Sequence, residues 1–229
     1  MSRLKYGDYK MAIRVIITGT TGMVGEGVLH ECLHSPDVEK VLVVSRRSGG
    51  VSHPKLSELI VPDFFDLHSI EDNLSGYNAC FFCLGVSSVG MKKEVYERMT
   101  YDLTMNFART LSKLNPDMQF CYISGASTDS TEKGRMHWAR VKGKTENDLQ
   151  KLGFKNTWLF RPGALKATPG LKNTLPYYKW ISWLIPPVEF FFPNAVTSLA
   201  QLGQAMIHVV TRGYEKNIIE VKDIKVLAR

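Results

Sequence analysis

Three glycines at three-residue spacing, Gly19, Gly22 and Gly25 in Thr18-Gly19-Thr20-Thr21-Gly22-Met23-Val24-Gly25, are the residues of this chain best placed to do chemistry. The short β-branched run Ile13 to Thr18 precedes them and the helical spacing of Val24 to Leu33 follows, so a strand, a tight turn and a helix are expected. In that context glycines allow a sharp turn and bring backbone N–H groups of Thr21, Met23 and Val24 close to a pyrophosphate at the positive end of the helix. A dinucleotide site is the implied chemistry. A second strand, Val41 to Ser45, ends in Ser45-Arg46-Arg47-Ser48, where an acidic residue would normally accept the ribose hydroxyl. Guanidinium groups at Arg46 and Arg47 suit a 2′-phosphate, so NADP(H) is favoured over NAD(H). The alternative is a solvated basic turn.

The elements that must hold these residues follow from periodicity. Apolar runs predict further strands at Leu59 to Val61, Ala79 to Leu84, Phe120 to Ser124 and Thr157 to Phe160. Helical stretches, Lys92 to Leu114 and Gly134 to Leu152, separate them. Strands apolar on both faces and alternating with helices predict an α/β fold, a Rossmann-type doubly wound parallel sheet. Leu199 to Val210 reads as a late helix and Ile218 to Val221 as a late strand. One domain over 1–229 is expected, with a Pro- and aromatic-rich segment at about 165–195, including Tyr177, Tyr178, Trp180 and Trp183, as a lid.

With these motifs in hand, the chain resembles the atypical or extended short-chain dehydrogenase/reductase superfamily, in its NAD(P)-binding, epimerase-like branch of TIP-thirty-like oxidoreductases. The resemblance spans most of the chain. It implies that Asp63 and Phe64 lie by the adenine, that Cys83-Leu84-Gly85 flank the ribose, and that Arg161-Pro162-Gly163 meet the nicotinamide side. It also implies a Ser or Thr after the fifth strand and a Tyr four residues before a Lys. Lys142 keeps that spacing and would bind the nicotinamide ribose, but the tyrosine position holds Trp138. An indole N–H cannot protonate a carbonyl oxygen, so the usual acid is missing. The hydroxyl aligns with Ser124 or Ser127, Ser124 ranking first. His137, or a lid tyrosine such as Tyr177 or Tyr178, is a replacement acid to test.

Composition narrows the classes. The chain has 229 residues, 44% hydrophobic and 22% charged, which fits a packed globular protein. Its net charge of +7 is spread along the sequence without a basic block or a nucleic-acid motif, so it suits anionic small ligands rather than nucleic acid. Cys32, Cys80, Cys83 and Cys121 lie in apolar segments, which points to a reducing compartment, and the Cys80-Phe81-Phe82-Cys83 spacing sits in a strand pattern rather than a metal or redox site. No metal is expected. The N-terminus lacks the apolar core of a secretory signal, and Lys179, Glu189, Pro186 and Pro187 break the aromatic segment short of a membrane span, so a cytoplasmic location is expected. Two readings follow. One is an NADP(H)-dependent oxidoreductase or epimerase-like protein acting on a small carbonyl or hydroxyl compound, apolar or aromatic, under the lid. The other is a catalytically silent NADP(H)-binding sensor or scaffold with a protein partner. The sequence sets no oligomeric state.

Overall fold

A computed structural model describes residues 12–173, 191–192 and 194–229. Seven parallel strands form the central sheet: β1 (Ile13–Thr18), β2 (Val38–Ser45), β3 (Leu56–Ile60), β4 (Ala79–Phe82), β5 (Gln119–Ile123), β6 (Asn156–Arg161) and, last in the chain, β9 (Ile218–Glu220). Their order is β3-β2-β1-β4-β5-β6-β9. This is the expected Rossmann-type doubly wound sheet. The chain leaves β1 toward β2 on one side and returns to β4 on the other, so a crevice opens beyond the carboxyl ends of β1 and β4.

Strands without a polar face must be covered twice. Ile13, Val15 and Ile17 of β1 bury one face against α1 (Met23–His34) and α5 (Leu199–Arg212), while Ile16 points into the opposite core. That second core is closed by α3 (Leu103–Leu114) and by Leu149 of α4 (His137–Leu149). Gly27 of α1 lets α5 approach closely, since a Cβ there would stand 2.8 Å from the Cβ of Leu199. Cys80 in β4 and Cys83 just past its end project to opposite sides of the sheet, one toward each core, so their spacing reflects strand alternation and not a paired thiol site.

Several boundaries differ from those expected. The run expected from Lys92 to Leu114 is α2 (Lys93–Glu97), a π turn at Arg98–Asp102 and then α3. The third strand starts earlier, at Leu56, because it pairs in register with Val41 to Ser45. α4 begins only at His137, because Asp129 organises the residues before it into a turn: its carboxylate accepts from Thr131 N at 3.0 Å and Gly134 N at 2.6 Å. A short parallel ladder of β7 (Ala164–Lys166) and β8 (Val196–Ser198), and a terminal helix α6 (Val221–Leu227), were not expected. Tyr177, Tyr178, Trp180 and Trp183 of the expected lid lie outside the described residues.

Candidate functional site

Beyond the strand ends lies a cleft of 540 Å³, walled by Gly19, Thr21, Gly22, Met23, Val24 and Gly25 at one end. The turn has the expected construction. Gly19 takes φ +73°, and a Cβ on it would stand 2.7 Å from the backbone of Cys83 and Leu84. A Cβ on Gly25 would stand 2.3 Å from the carbonyl oxygen of Gly19. Gly22 differs, since a Cβ there would meet only the Gly19 oxygen, at 3.4 Å, and otherwise points into open space. Gly22 also opens α1 without a side-chain cap, whereas α5 is capped by Ser198, whose Oγ accepts from Gln201 N at 3.0 Å. The first-turn donors of α1 therefore have no side-chain cap beside the cleft.

The β2 end brings Ser45 and Arg46 into the wall. Ser45 is buried and its Oγ donates to Arg47 O at 2.6 Å, which fixes the start of the basic turn. Glu58 of β3 holds the far side, accepting from Ser48 Oγ and from Gly49 N at 2.9 Å. Arg47 itself is exposed and outside the wall.

Across the cleft stand Cys83, Leu84, Gly85, Ser124, Lys142, Pro162 and Gly163, with Val86, Ser87, Ile123 and Leu165 beside them. Lys142 Nζ donates to Ser124 O at 2.5 Å. Burial pulls its ammonium down from the ordinary lysine value to about 8, against the opposing pull of Glu146. Ser124 Oγ donates to Glu146 Oε1 at 2.5 Å and to Phe160 O at 3.1 Å. Glu146 is fully buried, one helical turn beyond Lys142, and is clamped by Arg161 through Nε at 3.1 Å and through Nη2.

Four further expected site residues have side chains outside this wall. Phe64 is 2% exposed and packs its ring 5.7 Å from that of Phe107, so its side chain belongs to the core. Asp63 is exposed and accepts from Phe65 N at 2.9 Å. Arg161 turns inward because Glu146 and Ser130 Oγ, at 2.5 Å, take its donors. His137 lies outside the wall with its ring 6.1 Å from that of Tyr96, edge-on. Glu146 was missed, although a carboxylate four residues after Lys142 on one helix face is a readable signal. A second depression, of 480 Å³, lies at the opposite strand ends around Arg14, Tyr77 and Asn115, away from the glycine turn.

No protein-family model matches the chain. In sequence it is 26% identical over 163 residues, 67% of either chain, to the Aspergillus terreus protein fmp52-1, mitochondrial. It is 27% identical to Protein HTATIP2 of Rattus norvegicus over 216 residues, covering 89% of this chain and 88% of the other. Among solved structures it superposes on the Bordetella bronchiseptica enzyme WbmF in complex with NAD+, with TM-score 0.66 and 14% identity over 96% of this chain and 77% of that one. Uronate dehydrogenase from Agrobacterium tumefaciens follows with TM-score 0.65 and 14% identity, over 91% and 76%. The cytoplasmic location expected from the sequence is overturned by the relatives, several of which are named mitochondrial. Among the described residues no helix is long and apolar enough to cross a membrane. In fold the chain is similar to these NAD+-bound and uronate dehydrogenase structures, and in sequence to the Fmp52 and HTATIP2 proteins.

Proposed function

We propose that the chain, acting as one domain, is an NADP(H)-dependent oxidoreductase for a small carbonyl or hydroxyl compound. The observation that carries this reading is the uncapped start of α1 behind Gly22, open to a cleft that also receives Arg46 and Lys142. The cradle fits a dinucleotide. Backbone N–H groups of Met23 to Gly25 would hold the pyrophosphate and the helix end would offset its charge. Arg46, with Arg47 beside it, would take the 2′-phosphate, and among the described residues no acidic side chain lines the cleft to repel it. Asp63 and the Phe64 backbone would flank the adenine. Cys83 to Gly85 and Lys142 would hold the riboses, and Pro162 and Gly163 the carboxamide side. When bound, the nicotinamide supplies or accepts a hydride. Val86, Ile123 and Leu165 give the remaining wall an apolar character that suits an apolar or aromatic substrate.

NADPH is expected to bind at least roughly tenfold tighter than NADH, the worth of one charge-assisted phosphate contact. Arg46→Ala with Arg47→Ala should erase most of that difference in a fluorescence titration. Equal affinities in the unmodified protein would overturn the preference.

A catalytically silent sensor or scaffold that binds a protein partner is the second reading. Trp138 in the position of a phenol favours it, as does the commitment of the Ser124 proton to Glu146. Reduction of any aldehyde, ketone or quinone by bound NADPH decides against it.

A further inference from the structure

An oxidoreductase working in this cleft needs a proton for the carbonyl oxygen, and the groups around it can be sorted by position. Trp138 has no proton to give. The hydroxyl of Ser124 shares its proton between Glu146 and Phe160 O. Arg46 stands at the β2 end, beside the glycine turn, and a guanidinium keeps its protons. His137 is outside the wall, edge-on to Tyr96. The phenols of Tyr96 and Tyr122 are each 2% exposed and lie within the fold. Lys142 remains. Its Nζ sits at the β5 end, tied to Ser124 O at 2.5 Å and in the same wall as Pro162 and Gly163.

We infer that the Lys142 ammonium is the proton donor of the reaction, taking the place of the absent phenol as well as binding ribose. This rests on the oxidoreductase reading above. The carbonyl carbon takes a hydride from the reduced nicotinamide, the carbonyl oxygen takes a proton from Lys142 Nζ, the C=O π bond becomes the O–H bond, and solvent reprotonates the amine. Three observations make Lys142 suited to this. An ammonium has three donors, so one can stay on Ser124 O while another faces the substrate. Burial weakens its hold on the proton, bringing it to about 8. The charges around it do not reverse that. Glu146 on its own helix raises its proton affinity, Arg161 of β6 is spent on Glu146, and burial keeps Tyr96 and Tyr122 protonated.

The sign of the pH dependence follows. The donor form is the cation, so reduction holds below about pH 8 and falls tenfold per pH unit above it.

The experiment compares the unmodified protein with Lys142→Arg, which keeps the charge and the donors but gives up no proton at working pH. Three readouts are taken: NADPH binding by fluorescence, reduction of a panel of aldehydes and ketones against pH, and the pH dependence of acetylation at Lys142 by mass spectrometry without cofactor. Expected are NADPH binding in both proteins, weakened in Lys142→Arg as far as the ribose contact is lost, reduction per bound cofactor lowered by about 10² or more in Lys142→Arg, and acetylation of Lys142 half-maximal near pH 8. Reduction retained in Lys142→Arg overturns the inference while leaving the oxidoreductase reading intact, as does acetylation that rises only at the ordinary lysine value. Absence of NADPH binding sinks the cofactor reading itself, and binding without reduction anywhere in the panel sinks the catalytic one; either takes this inference with it.

Discussion

Gly25→Ala is expected to cost about 3 kcal/mol or more of folding stability and to abolish dinucleotide binding. The added Cβ would lie 2.3 Å from Gly19 O, 2.5 Å from Gly19 C and 2.8 Å from Thr20 N. All three are backbone atoms of a turn already pinned against Cys83 and Leu84, so no side chain can swing aside. α1 cannot retreat either, since Val28, Leu29 and Cys32 are packed in the core. Gly22→Ala is the informative companion. Its Cβ would meet only Gly19 O at 3.4 Å, so stability should stay within about 1 kcal/mol while NADPH affinity falls, because the methyl enters the space assigned to the pyrophosphate. Denaturant unfolding and a cofactor titration on both variants check this. A Gly22→Ala protein with full affinity would place the phosphates elsewhere.

The second large effect is at Glu146. Its removal by Glu146→Ala leaves Arg161, 9% exposed, without its bidentate partner, and leaves Ser124 Oγ with only Phe160 O. Breaking a buried pair on one side typically costs about 3–5 kcal/mol, because the remaining charge is left uncompensated. Glu220, 3.7 Å from Arg161 Nη1 and about half exposed, gives partial relief and argues for the lower end. Replacing both partners, Glu146→Leu with Arg161→Met, should recover most of that loss. Equilibrium unfolding of the single and double variants measures the difference. A single variant as stable as the parent would mean that the pair contributes nothing net.

Much of this was legible because it depends on local rules. The β1–glycine–α1 unit combines a β-branched run, three glycines and a 3.6 period, and each feature alone points to the same structure. The strand core was readable because strands buried on both faces have to be apolar throughout. Residues whose role is set by a distant partner were not. Arg161 reads as a ligand group until Glu146, fifteen positions earlier, is seen to hold it. Phe64 looks like part of an adenine pocket until Phe107 shows it to be core. The β7–β8 ladder has strands of three residues, too short for any periodicity, and it depends on contact across thirty positions. The location failed for a different reason: a missing secretory core speaks to one export route, free cysteines report on packing, and neither carries an address.

The two ends of the aromatic segment are fastened to the cofactor half at separate points. Glu26, in the first turn of α1, accepts from Lys172 N at 2.8 Å and Asn173 N at 2.7 Å, and the β7–β8 ladder joins Ala164–Lys166 to Val196–Ser198. A chain held at two such points enters and leaves through separate anchors, so a change at Glu26 is felt at Lys172 and Asn173 and not at the β7–β8 ladder.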